Sequence, residues 1–261
     1  MLENKLKLNN VKPEDLLLRS SSKSFSVGKP TTISVCGCEI SFSSSARKLG
    51  FNVRDDMSVE LHIKNACLSA YSEFHRISTI QHLLSVDSTK TCVSAFVLSR
   101  LDYCNLLLSG CLKHLLEKLQ KVQNSAARLV LKAHKHSHVS PLLRTLHWLP
   151  IQARIEYKLS TLCHSFFSDT APVYLSDLLR VYSPPRQLRS SSDSRTIRIP
   201  HIKTKTFGHR SFSHAAPSAW NSLPHEIRHS QSNTAFKTAL QTHLFKSYLC
   251  QINLYSPHLF L

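Results

Sequence analysis

Glycine is scarce in this chain, with five in 261 residues. A phosphate-cradling loop needs several glycines close together, so that backbone amides can approach the anion, and no such run is present. A Gly-x-Ser-x-Gly nucleophile elbow is missing as well, and the Cys, His and Asn residues make no convincing thiol-protease order. Apolar runs are short: none approaches the roughly 18 residues that cross a bilayer. The opening "MLENKLKLNN" is charged and lacks the apolar centre of a secretory signal. Acid is in short supply too, with 16 Asp and Glu against 33 Lys and Arg, a formal charge of +17 with His neutral. These shortages exclude a phosphate-loop nucleotidase, an α/β-hydrolase and a helical membrane span. They leave no small-molecule substrate and no cofactor to expect.

What is present is cation. An excess of this size points to a polyanionic partner, nucleic acid before an anionic membrane surface. Hydrophobic residues make up 42%, as in a globular protein. The eight cysteines stand at 36, 38, 67, 92, 104, 111, 163 and 250 with no regular framework. They read as free thiols of an intracellular protein, in nucleus or cytoplasm.

Along the chain, "TTISVCGCEISFS" alternates about Gly37 and predicts a hairpin turning at Cys36-Gly37. "ARKLGFNV" predicts one short strand. From Met57 the period lengthens: Val59, Ile63, Cys67, Ala70, Phe74, Ile77 and Leu84 fall on one helical face. Ser88 is placed to cap a second helix that ends at Gly110. A third carries Leu112, Leu115, Leu116, Leu119, Val122, Ala126, Leu129 and Val130 as its apolar stripe. A fourth, from about Ile151 to Phe167, buries Ile155, Leu159, Leu162 and Phe166. "SPPRQLRSSSDSR" reads as a linker or exposed loop, "TIRIPHIK" as one extended segment. A last helix starts near Ser232 with Phe236, Leu240, Leu244 and Tyr248 on one face. From 178 onward eleven Lys and Arg face two acids, Asp193 and Glu226, so about half the net charge sits in the last third.

Asp55 and Asp56 form the one Asp-Asp pair and raise the question of a two-metal polymerase centre. Such a centre needs carboxylates converging on metals about 4 Å apart, one of them from a distant strand. The earlier acids, Glu3, Glu14, Asp15 and Glu39, do not sit in apolar strand contexts, and helix capping is the better role for the pair. His134, His136 and His138 alternate, but between a helix and Pro141 they predict a loop and not a metal-binding strand face. Cys36-x-Cys38 is too tight for zinc. Cys104 is expected on a helix as a buried structural thiol. Lys118, Lys121, Arg128 and Lys132, at intervals of three, seven and four, project along one flank of the third helix. Such a row can track phosphates or simply face water.

Several blocks then carry a resemblance. "SRLDYCNLLLSG", "LQKVQNSAARLV", "LLRTLHWLPIQARIEYKLSTL", "APVYLSDLL", "RQLRSS", "GHRSFSHAAPSAWNSLPHEIR" and "FKTALQTHLF" resemble, in order, the C-terminal part of reverse transcriptases of animal non-LTR (LINE-type) retrotransposons. "NKLKLNNVKPEDLLL" is similar to the segment after that family's metal-binding Asp-Asp hairpin. "KLGFNVRDDMSVELHIK" is similar to the later strand that leads into the thumb. The resemblance implies that Asp55 and Asp56 are non-catalytic and that the catalytic carboxylates would lie before Met1. Lys12 matches a lysine close to the incoming nucleotide, although Lys12-Pro13-Glu14 stands where Lys-Thr-Glu is usual. The thumb-like helices would grip a template–primer duplex, with Lys118, Lys121, Arg128 and Lys132 as phosphate contacts. Trp148, in the His-Trp-Leu-Pro block, suits packing better than RNA stacking.

The expectations are therefore a mainly α fold: a helical thumb-like bundle with a small N-terminal β element left from a polymerase palm, α+β overall. Residues 1–56 form the palm remnant, 57–180 the helical region, and 181–261 a basic C-terminal region. The chain is expected to be no enzyme and to keep at most backbone-directed binding of RNA or RNA–DNA duplex. A translated relic without selected function, or a helical protein–protein interaction module, are the alternatives.

Overall fold

The computed structural model describes residues 15–18, 32–35, 38–183 and 195–254. It is mainly helical, with a small β element at the N-terminal end. Two compact units divide it, one up to Asn65 and one from Ala66 onward. Among the described residues no helix is long and apolar enough to cross a membrane.

In the first unit β2 (Thr32–Val35) and β3 (Cys38–Ser43) pair antiparallel, Ile33 opposite Ile40 and Val35 opposite Cys38. That register leaves two residues for the connection, Cys36 and Gly37, which lie outside the described residues. β1 (Asp15–Leu16) pairs parallel to β3. The single strand expected from "ARKLGFNV" is instead a hairpin, β4 (Ser45–Lys48) with β5 (Phe51–Arg54). Leu49 (φ 49°) and Gly50 (φ 82°) close it, both left-handed, as a tight turn between twisted strands requires. A leucine in that position gives no turn signal, which is why the sequence reads straight through it.

The aspartate pair follows β5. The Met57 N–H donates to the Arg54 carbonyl at 2.9 Å, making a turn. Asp56 Oδ1 accepts from the Ser58 N–H at 2.8 Å. Ser58 Oγ in turn accepts from Glu60, the first residue of α1 (Glu60–Ile80). The capping expectation is corrected by one step: Val59 accepts the first helical bond, from Ile63 at 3.0 Å, and Asp56 organises the turn before it.

In the second unit α1 buries Ala70 and Ile77 and continues into a 3₁₀ turn, Gln81–Leu83. α2 (Val86–Val93) is capped by Ser85, whose Oγ accepts from the Ser88 N–H at 3.1 Å; Ser88 is the donor of that cap and not the cap itself. The helix does not run to Gly110. It passes through a π turn at Ser94–Leu98 and α3 (Ser99–Asp102), then breaks at Cys104, φ 53°. Cys104 is therefore a half-buried residue off the helix, contrary to expectation.

α4 (Lys113–Val130) buries Leu115, Leu119, Val122, Ala126 and Val130, while Leu112 is exposed. α5 (Val139–Leu146) and α6 (Ile151–Phe167) follow. α6 buries Ile155 and Leu159, with Cys163 and His164 where Leu162 and Phe166 were expected. A short α7 (Val173–Ser176) and α8 (Lys205–Gly208) precede α9 (Phe212–Asn221), α10 (His225–Arg228) and α11 (Asn233–Leu254). α11 is capped by Ser232 Oγ on the Ala235 N–H. α6 is the centre of this unit, with α4, α9 and α11 packed on it. Helices from both sides of residue 181 thus share one core.

Scarce glycine shapes the helix ends. α4, α5 and α6 all finish in the same paired bonds, Ala133 to Arg128 and Lys132 to Leu129, Trp148 to Leu143 and His147 to Arg144, Thr170 to Ser165 and Asp169 to Phe166. The left-handed position that normally takes glycine holds Lys132, His147 and Asp169, at φ 50°, 56° and 52°.

Candidate nucleic-acid interface

α1 and α4 run in the same direction. Lys118 lies near Cys67, partly offsetting the rise that burial imposes on that thiol's pKa, and further along Gln81 Nε2 donates to the Leu129 carbonyl. Between their C-terminal ends opens a groove of about 600 Å³, lined by Phe74, Ser78, Gln81, His82, Ser125, Arg128, Leu129, Lys132, Ala133 and Lys135.

The predicted cations divide in this setting. Arg128 and Lys132 line the groove. Lys118 and Lys121 are exposed on α4 outside it. Arg128 is not a free cation: its Nε and Nη2 both donate to the Ser137 carbonyl, at 3.2 and 3.1 Å, and hold the loop after α4. Lys132 is exposed and held in the left-handed conformation. Lys12 lies outside the described residues. His82 and Lys135, which the sequence reading missed, join the groove from a 3₁₀ turn and a loop, where helical periodicity gives no signal. His134 and His136 lie 5.4 Å apart between ring centroids, and among the described residues no three His, Cys, Asp or Glu gather as metal ligands.

The motif blocks converge on two hydrogen-bonded hubs. In the first, Gln123, fully buried, donates to the Leu149 carbonyl at 2.8 Å, and Gln120 Oε1 accepts from the Ile151 N–H at 2.9 Å. Arg154 donates to the same Leu149 carbonyl at 2.8 Å and pairs with Asp102 at 2.6 Å. Lys158 donates to the Asp102 carbonyl and Asn105 to its carboxylate. Trp148 is buried, as packing requires.

In the second hub Trp220 Nε1 donates to the Arg195 carbonyl at 2.6 Å. Asn221 brackets Ile197, accepting from its N–H at 3.1 Å and donating to its carbonyl at 2.7 Å. Arg228, buried, donates to Leu223, Arg195 and Thr196. His164 stacks on Phe236 at 4.2 Å, and burial lowers its pKa. These hydrogen bonds run to backbone and neighbouring side chains, so the two hubs hold their segments in place. A scan of protein-family models finds no match, and comparisons with curated proteins and with solved structures find none either.

Proposed function

We propose that this chain corresponds to the end of the palm, the thumb and the C-terminal region of a non-LTR retrotransposon reverse transcriptase. On this reading Asp55 and Asp56 are not that family's metal-binding carboxylates, and the described residues contribute nucleic-acid binding. That binding is of RNA or RNA–DNA duplex through the sugar–phosphate backbone, with little sequence preference. The observation that carries the reading is the α1–α4 groove, which sets Arg128, Lys132, Lys135 and His82 along one concave surface of a chain of net charge +17.

Two roles follow for the basic residues. Lys121, Lys132 and Lys135 are phosphate contacts. Arg128 sets the position of the loop that carries Lys135, through its bonds to Ser137. The test is titration of the purified chain with an RNA–DNA hybrid over a range of salt. Binding should weaken steeply with salt, and Lys121→Glu with Lys132→Glu should flatten the log–log slope by about 1.8. Binding that ignores salt, or a double variant with the parental slope, would overturn the reading.

A further inference from the structure

Val181 and Ile197 form an antiparallel bridge, flanked by Tyr182 N–H to the Thr196 carbonyl and Arg198 N–H to the Arg180 carbonyl, both at 2.8 Å. This register sets Arg180 directly opposite Arg198. Side chains facing each other across such a pair have Cβ atoms about 5 Å apart, and like charges there repel. Both arginines are exposed. Among the described residues neither guanidinium has a hydrogen-bonding or carboxylate partner to offset the repulsion. They stand on the ribbon face away from the buried Ile197 side chain. Tyr182, two positions from Arg180 and so on the same face, is 44% exposed.

The ribbon is also held firmly from the core side. Asn221 clamps Ile197 and Trp220 holds the Arg195 carbonyl. A segment that presents two like-charged guanidinium groups, without partners among the described residues, on a strand clamped at Arg195 and Ile197 is a preorganised receptor for an anion that bridges them. The exposed phenol ring beside them offers a stacking surface, which a base can use only when it is unpaired.

We propose that Arg180 and Arg198 bind a phosphodiester of single-stranded RNA, with the adjoining base stacked on Tyr182. This rests on the nucleic-acid reading above and gives it a second contact: the α1–α4 groove takes duplex, and the ribbon takes an unpaired strand.

The test uses the full chain, a fluorescent twelve-nucleotide oligouridylate and an RNA–DNA hybrid duplex as probes. Removing two phosphate contacts from a single strand should lower the log–log salt slope by about 1.4 and weaken binding about 25-fold at 0.1 M salt. The Arg180→Ser, Arg198→Ser double variant is expected to show that loss on the oligouridylate and to leave hybrid binding within about twofold. Arg198→Glu provides the second readout. It replaces repulsion by attraction across the ribbon, so the melting temperature should hold or rise while oligouridylate binding falls. Tyr182→Leu should weaken the oligouridylate about tenfold through lost stacking.

Wild-type affinity and slope in both arginine variants would overturn the proposal, and so would equal losses on oligouridylate and hybrid. If the arginine variants instead lost only binding to vesicles containing phosphatidylserine, the ribbon would be a membrane contact and the RNA proposal would fall. Lys121→Glu with Lys132→Glu separates the two readings: it must weaken the hybrid whatever the ribbon does, and its failure would overturn the groove.

Discussion

Asn221 offers the sharpest check on how the C-terminal region is assembled. Its carboxamide makes two bonds to one residue, 3.1 Å from the Ile197 N–H and 2.7 Å to the Ile197 carbonyl. Ile197 is 1% exposed, so truncating Asn221 takes both bonds from a covered backbone. Each hydrogen bond contributes about 1 kcal/mol net, and stranding a buried backbone group adds a further penalty. Asn221→Ala should therefore cost about 2–3 kcal/mol. For a domain of about 200 residues that is a fall of roughly 5–10 °C in melting temperature. Near-ultraviolet circular dichroism suits the measurement, because Trp220 sits beside the mutated residue and donates into the same segment. Ser222→Ala is the control, since its hydroxyl bonds only to its own helix and is exposed; it should change the midpoint by less than about 1 °C. Asn221→Asp should be as harmful as alanine at neutral pH, because a carboxylate would face the Ile197 carbonyl. Its cost should shrink as acid protonates it into a donor. A melt of Asn221→Ala within about 2 °C of the parent would refute the clamp.

Three further expectations follow from particular contacts. Arg154→Met should cost about 2–3 kcal/mol in urea unfolding, since Arg154 holds both the Leu149 carbonyl and Asp102. A double-mutant cycle with Asp102→Asn should return a coupling of about 1–2 kcal/mol. Lys132→Gly should raise stability by about 0.5–1 kcal/mol by relieving the left-handed backbone at φ 50°, while weakening hybrid binding. Burial holds the His164 pKa below its ordinary 6.5, so in the window beneath 6.5 the unfolded chain takes up a proton that the folded chain refuses. Stability should fall as pH drops through that window, and His164→Phe should reduce the slope of midpoint against pH.

The strongest periodicities are borne out. α4, α6 and α11 lie where their apolar stripes place them, because a stripe of large side chains at helical spacing has one economical way to leave water. The antiparallel pairing of β2 with β3 was legible from alternation alone. Failures came where local signals were weak or replaced. Leu49-Gly50 turns a strand without an Asn-Gly signature. The helix expected to reach Gly110 breaks at Cys104, two residues after Asp102, whose partners Arg154 and Lys158 lie about fifty residues further along. No window around Cys104 contains that information.

The groove shows the same division. Lys118, Lys121, Arg128 and Lys132 could be ranked on one helix flank from spacing, but spacing treated them as equals. Tertiary structure separates them: Arg128 is turned to the Ser137 carbonyl, Lys132 opens into the groove, and Lys135 and His82 arrive from irregular segments. The paired arginines of the ribbon lie eighteen positions apart in the chain, on either side of a Pro- and Ser-rich stretch. By itself the sequence determined the charge, the helical class and the stripes that build the core, since these depend on residue type and on neighbours three and four positions away. Only the tertiary structure decided which cations are bound and which stand open, because a guanidinium's partner is whatever backbone the folded chain brings within about 3 Å of it.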